Sequence, residues 1–167
     1  VADCTGHGVP GAIVSVVCNN ALNRAVKEFD LIKPCEILNK TKDIVVDQFD
    51  KGQEDVQDGM DIALCSLNTK TNQLTFAGAN NPLYIVRNLD RSLEVIKANR
   101  LTVGKSVKKQ DFKSEELQLN KGDMLYLFSD GFADQFGGPK RKKYKYNTFK
   151  DLLLKHSTKV IAEQKIE

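Results

Sequence analysis

Val1-Ala2-Asp3-Cys4-Thr5-Gly6-His7-Gly8-Val9-Pro10-Gly11 compresses an apolar strand end, a carboxylate, a glycine-rich turn and a helix start into one short segment. Two folds can open this way. Gly6, Gly8 and Gly11 satisfy the GxGxxG spacing of a dinucleotide-binding turn, in which glycines bring backbone N–H groups close to a pyrophosphate at a helix N-terminus. That reading requires parallel β/α units and a ribose-binding acid at the end of a second strand. Glu28 and Asp30 lie at a suitable distance along the chain, but they end a helix, and no β/α alternation follows. The other reading turns on Asp3, a carboxylate delivered by a strand end, which together with the main-chain carbonyl of Cys4 can ligate a hard cation.

The pattern downstream decides between them. Residues 9–29 read as a helix, with Gly8 and Pro10 at its opening and Ile13, Val14, Val17, Ala21, Leu22 and Ala25 at helical spacing; its apolar content predicts a buried helix. A second helix is expected over residues 34–49, with Pro34 in the first turn and Ile37, Leu38, Ile44, Val45 and Phe49 in one stripe. After a polar connection at 51–58 the period changes to that of strands. Residues 62–67 and 74–79 flank Asn68-Thr69-Lys70-Thr71-Asn72-Gln73 as a hairpin, and further strands are expected at 83–87, 93–98, 112–119 and 124–129. A helix capped by Asn147 or Thr148 runs to His156, and 157–167 continues helical after a break. Helices, then a block of antiparallel strands, then helices is an α+β order.

Composition sets the bounds. With 167 residues, 41% hydrophobic and 28% charged, the chain is expected to form one domain, residues 1–167, with a packed core. A first residue other than Met, already inside an apolar strand, predicts a piece of something longer. No apolar run approaches the 18 to 20 or so residues of a membrane span. Net charge is +3, too weak a field to argue for nucleic acid or an anionic membrane. Its local exception is Lys140, Arg141, Lys142, Lys143 and Lys145, expected as a solvated basic loop or a contact for an acidic or phosphorylated partner. Cys4, Cys18, Cys35 and Cys65 form no CxxC pair, so a reduced, cytoplasmic chain is expected.

A second carboxylate matches the first. Met124-Leu125-Tyr126-Leu127-Phe128-Ser129 is an apolar run that ends in Asp130-Gly131, so two buried strands would each deliver an acid to one metal centre. Oxygen-only ligation favours Mg²⁺ or Mn²⁺ over zinc. Asp58-Gly59-Met60-Asp61 adds two acids at a loop and strand entry, both expected as accessory contacts to metal or substrate or as solvated loop acids.

The stretches VADCTGHGVPGA, DGMDIALCSL, TFAGANNPLYIVR and GDMLYLFSDGFADQFGG, in that order, resemble the bacterial sporulation-stage-II-protein-E (SpoIIE) type of PPM serine/threonine phosphatase. The resemblance implies an α-β-β-α sandwich of antiparallel sheets flanked by helices and, in the complete domain, a centre of two Mn²⁺ or Mg²⁺ ions that activates water against phosphoserine or phosphothreonine. Asp3 matches the acid that bridges the metals. The Cys4 carbonyl falls where the family commonly has Gly, and Asp130 matches the SDG acid with Gly131 letting the chain turn. His7 occupies a variable position, where a structural or nearby role is expected ahead of proton donation. Asn80, Asn81 and Pro82 match an AGHxP loop with Asn80 in place of His, expected as structural support. His156 is expected as an ordinary surface residue.

The departures carry expectations of their own. The family has an earlier Asp in a GGD-like strand before Val1 and a later Asp in a DD pair, and neither segment is among these residues, so the domain is expected to be incomplete at both ends. Two acids bring −2 against the +4 of two divalent ions, which predicts weak metal binding and poor turnover by these residues alone. Open sheet rims favour strand-mediated association, including a homodimer. The expected partner is a phosphoprotein, with a STAS-like anti-anti-sigma protein as the candidate the resemblance suggests, in a parent protein with an upstream sensory domain. A non-catalytic PPM-fold regulatory or scaffold module, pairing through its long helices, is the alternative.

Overall fold

The computed structural model describes residues 1–50, 58–105, 110–137, 139 and 141–164. Helix α1 (Gly8–Lys27) takes Pro10 into its first turn, where a missing N–H costs nothing. Its buried side is a stripe of small residues, Gly11, Val14, Cys18, Ala21 and Ala25, which lets α2 (Pro34–Asp50) approach closely through Ile37, Leu38, Ile44 and Val45. The buried hydroxyl of Thr41 is satisfied within α2 by donating to the Ile37 carbonyl at 2.7 Å. The expectation of a buried α1 holds for that side alone: Val9, Ile13 and Val16 are 74, 57 and 59% exposed. Among the described residues α1 packs through one face, against α2 and the strands at Ala2–Cys4 and Gly59–Asn68.

Ten strands are described: β1 (Ala2–Cys4), β2 (Gly59–Asn68), β3 (Gln73–Ala79), β4 (Leu83–Val86), β5 (Leu93–Ile96), β6 (Val103–Gly104), β7 (Glu115–Gln118), β8 (Met124–Tyr126), β9 (Phe136–Gly137) and β10 (Lys142–Lys143). One sheet has the order β1-β2-β3-β7, with β6 also pairing with β2, and a second has the order β5-β4-β8. All of these pairings are antiparallel. Strand alternation splits β2 between two cores. Met60, Ile62 and Leu64 pack under the helices, whereas Ala63 and Cys65 join Leu74, Phe76, Leu83, Ile85 and Leu125 between the sheets. Phe76 is 1% exposed at the centre of that second core, a burial that stabilises the fold by about 2–3 kcal/mol. On the outer face of the second sheet, Tyr84 and Phe128 stack against Phe149 of α3 (Tyr146–His156). The layers are therefore helix, sheet, sheet, helix, as expected.

Several boundaries differ from expectation. Strand pairing stops at Tyr126, although Leu127 still packs into the core, and β7 covers only the middle of 112–119. The basic stretch includes strand β10, which pairs with β9 as a hairpin; Lys140 lies outside the described residues. Helix α3 begins at Tyr146 after Lys145, without the expected Asn147 or Thr148 side-chain cap. The last segment forms the short α4 (Ile161–Gln164), and the expected helix at 165–167, like the connection at 51–57, falls outside the described residues. Among the described residues no helix is long and apolar enough to cross a membrane.

Candidate metal centre

Register builds the site. Strand β1 sets Asp3 directly opposite Asp61 of β2; Val1 exchanges backbone hydrogen bonds with Ala63, and Thr5 N–H donates to the Gly59 carbonyl. Residues directly opposite share a face, so both carboxylates lie on the side that Ala63 presents to the second sheet. Because hydrogen-bonded pairs alternate, Ala2 and Cys4 turn their backbone groups away from β2, toward a rim that no described strand covers. The Cys4 carbonyl thus stands free of the ladder. Asp130 arrives from the second sheet, at the start of a turn that the Asp134 N–H closes by donating to the Asp130 carbonyl at 2.9 Å. Asp3, Cys4, Thr5, Asp61, Asn81 and Asp130 line one open pocket of about 220 Å³.

The crossing from β3 to β4 supports this pocket. Gly78 is needed there, because a Cβ would lie 2.6 Å from the Asn81 carbonyl oxygen and 2.7 Å from the Phe76 ring. Asn80 follows at φ 56°, a left-handed conformation that Asn tolerates better than most residues. From that position its Nδ2 donates to Asp61 Oδ1 at 2.9 Å and to Thr102 Oγ1 at 3.0 Å, and Thr102 Oγ1 donates to the same Asp61 oxygen at 2.9 Å. Asp61 is thereby oriented through one oxygen.

Charge accumulates in the site. Burial holds the Asp130 carboxyl above its usual range, and the negative charges of Asp134, Asp3 and Asp61 push it further; Lys143 opposes them. Lys143 Nζ lies 2.7 Å from Asp134 Oδ1, which places the β10 cation beside the acids. Among the described residues neither the Asp3 nor the Asp130 carboxylate has an ion pair or side-chain hydrogen bond.

The SpoIIE family model, Stage II sporulation protein E, matches residues 1–166. The chain belongs to this family. It is 27% identical over 137 residues, 80% of its length, to the phosphoserine phosphatase RsbU of Bacillus subtilis, and spans 38% of that relative. The SiaA-PP2C domain of Pseudomonas aeruginosa superposes with a TM-score of 0.84 at 29% identity, over 98% of this chain and 62% of that one. The PP2C phosphatase domain of SpoIIE from B. subtilis, solved with a fragment of its regulatory domain, gives a TM-score of 0.70 at 17% identity, over 99% of this chain and 46% of that one, and shows the shared fold.

Against this SpoIIE-family frame the expected site residues separate. Asp3, Asp61, Asp130 and Cys4 come together; Asp58 and His7 do not line their pocket. Asp58 accepts a hydrogen bond from Thr5 Oγ1 at 2.8 Å, and Thr5 Oγ1 accepts from Gly59 N at 3.1 Å, so Asp58 ties the turn after β1 to the start of β2. His7 precedes α1 without a side-chain cap and lines a second cleft of about 480 Å³ on the α1 side, which Asp3 and Cys4 also line. Gly131 does not adopt a left-handed φ, and a Cβ there would meet only Ser129 Oγ at 3.5 Å, so this turn does not demand glycine. Within the GxGxxG match the glycines serve the turn and its packing: Gly6 and Gly8 adopt φ of 86° and 65°, and Gly11 lies so close to Gly6 that a Cβ would sit 2.7 Å from its carbonyl group. His156 is half-buried and lines a small apolar pocket with Phe132 and Phe149, not an ordinary surface residue.

Sequence reasoning singled out Lys143 as part of a basic stretch without placing it beside the acids, and it missed Asp134, Thr102 and the placement of Asn81. Only Asp134 left a signal, four residues after Asp130 on one helical turn. The donor set suits a hard cation: carboxylates, a free carbonyl and a hydroxyl, with like charges crowding Asp130. Among the described residues no three His, Cys, Asp or Glu side chains are arranged closely enough to hold a metal ion by themselves.

Proposed function

We propose that the protein containing this chain is a metal-dependent phosphatase acting on phosphoserine or phosphothreonine. The observation that carries this reading is the convergence of Asp3 and Asp130, from two different sheets, on one pocket in which neither carboxylate has an ion pair or side-chain hydrogen bond among the described residues. Asp3, Asp130 and the Cys4 carbonyl would hold Mn²⁺ or Mg²⁺, with Asp61 as an accessory acid. When bound, such ions supply Lewis acidity and lower the pKa of water. In hydrolysis a water oxygen forms the new bond to phosphorus, the ester P–O bond breaks, and the departing serine or threonine oxygen takes a proton. The chain's own part is to gather the cations through Asp3 and Asp130 and to keep Asp61 oriented through Asn80 and Thr102.

Phosphoserine is the preferred substrate class because RsbU is a phosphoserine phosphatase. A STAS-like phosphoprotein substrate, a sensory domain elsewhere in the protein and a cytoplasmic setting complete the reading, the last supported by four free thiols. The test is Mn²⁺-dependent hydrolysis of p-nitrophenyl phosphate and a phosphoserine peptide by the full-length protein and its Asp3→Ala and Asp130→Asn variants. Loss of turnover in both variants is expected. Equal turnover in all three refutes the metal assignment, and an inert full-length protein leaves the non-catalytic scaffold reading.

A further inference from the structure

One pocket-lining side chain has no task in the mechanism above. Asn81 is only 8% exposed, yet it lines the pocket with Asp3, Thr5, Asp61 and Asp130, and its Nδ2 has no hydrogen-bond acceptor among the described residues. Burying an amide donor without an acceptor is unfavourable, and native proteins rarely tolerate it without a reason.

The surrounding chain enforces the placement. Asn81 sits between Asn80, held at φ 56°, and Pro82, whose ring keeps the preceding residue out of the helical region. Its backbone N–H donates to the Ala79 carbonyl at 2.6 Å, closing a tight turn. Neighbouring amides therefore have opposite fates. Asn80 spends its Nδ2 on Asp61 and Thr102, while Asn81, one residue on, keeps its Nδ2 buried and unengaged. Apart from the Thr5 hydroxyl, whose proton is already donated to Asp58, the other side-chain groups of this pocket are acceptors, the three carboxylates, joined by the Cys4 carbonyl. Asn81 adds a neutral N–H donor, the complement of an oxygen-rich anion.

We propose that Asn81 is a substrate-contacting residue whose Nδ2–H donates to a non-bridging oxygen of the phosphoryl group. This rests on the phosphatase reading and deepens it. A donor fixed in advance at an oxygen that gains charge favours the transition state, because it needs no reorganisation when the charge develops. Being uncharged, it adds no repulsion to cations held by the acids.

The full-length protein in Mn²⁺ provides the test, with p-nitrophenyl phosphate as substrate and inorganic phosphate as competitive inhibitor. Asn81→Ala removes the side chain, and Asn81→Asp keeps its shape but not its donor. Both variants are expected to lower kcat/KM by about 10- to 100-fold and to raise the phosphate inhibition constant at least several-fold. The Mn²⁺ concentration giving half-maximal rate is expected to stay within about twofold for Asn81→Ala, because the donor contacts phosphate and not metal. The melting temperature of metal-free Asn81→Ala is expected to equal or exceed that of the unaltered protein, since removing an orphan donor relieves its burial. An unchanged phosphate inhibition constant overturns the inference, as does a lowered melting temperature with unchanged inhibition or failure of both variants to fold. If the unaltered protein neither hydrolyses the ester nor binds phosphate, the phosphatase reading fails first and this inference with it.

Discussion

Strand β8 is flanked by two aspartates with opposite fates. Asp123, just before it, has a side chain only 2% exposed and fully engaged. Arg87 lies 2.8 Å from one oxygen, and the backbone N–H groups of Asn88 and Asn120 donate at 2.9 and 3.0 Å. Although burial pushes its carboxyl upward, those donors and Arg87 together hold it below the usual range. Asp130, beyond the other end, is exposed, faces Asp134, Asp3 and Asp61, and is held above the usual range. An acid that serves the fold is saturated with donors. Asp130 is left short of donors among the described residues, as the proposed role of holding a cation requires, and the negative charge around it is only partly offset by Lys143.

The sharpest way to break this comparison is Asp130→Asn in the full-length protein. Turnover of a phosphate ester is expected to fall by more than about 100-fold, because even residues supporting a metal ligand cost 10- to 100-fold. The metal-free melting temperature is expected to hold or rise, and a clear fall would show that Asp130 serves stability after all. Asp123→Ala should do the reverse. It strands Arg87 and two backbone donors, and urea unfolding is expected to show a loss of about 3 kcal/mol. A loss below about 1 kcal/mol would remove Asp123 from the structural class. Asn80→Ala lies between them. It deprives Asp61 of one donor and puts alanine at φ 56°, costing about 2 kcal/mol in unfolding and about tenfold in turnover; unchanged turnover would detach Asp61 from the site.

The two acids also predict opposite pH behaviour in the metal-free protein. Asp123, lowered from 3.8, contributes stability that is present above that value and lost as pH falls through its folded, lower pKa. Asp130, raised from 3.8, favours its protonated form in the fold, so its contribution is present below 3.8 and declines as pH rises through its folded pKa. Urea midpoints measured against pH are therefore expected to lose part of their acid-side fall in Asp123→Asn and part of their decline above pH 3.8 in Asp130→Asn. Identical profiles in both variants would sink the distinction. The smallest effect belongs to the hairpin beside the acids: Lys142→Glu is expected to weaken an acidic phosphopeptide a few-fold, more at low salt than high, as a KM series in NaCl would show.

Local pattern made much of the frame readable. Helical spacing of Ile13, Val14, Ala21 and Ala25 marked α1, alternation marked the β2–β3 hairpin, and an apolar run ending in Asp-Gly marked Asp130. Such signals depend on residues close along the chain, which is why they survive without a structure. The exposed stripe of α1, the bridge to β6 and the β9–β10 hairpin were not legible, because each depends on which neighbour a face or edge meets. The same limit applied within the site.

By itself the sequence determined that an α+β chain carries Asp3 and Asp130 at strand-associated turns, since apolar runs and the residues that end them are local facts. Tertiary structure alone decided that Asp61 faces Asp3, that Asp58 stands outside their pocket, that His7 lines the second cleft beside Asp3, and that Asn81 enters the first with no acceptor for its Nδ2 among the described residues. Those outcomes follow from strand register and from the crossing between two sheets. A shift of one residue in either would turn each side chain to the opposite face.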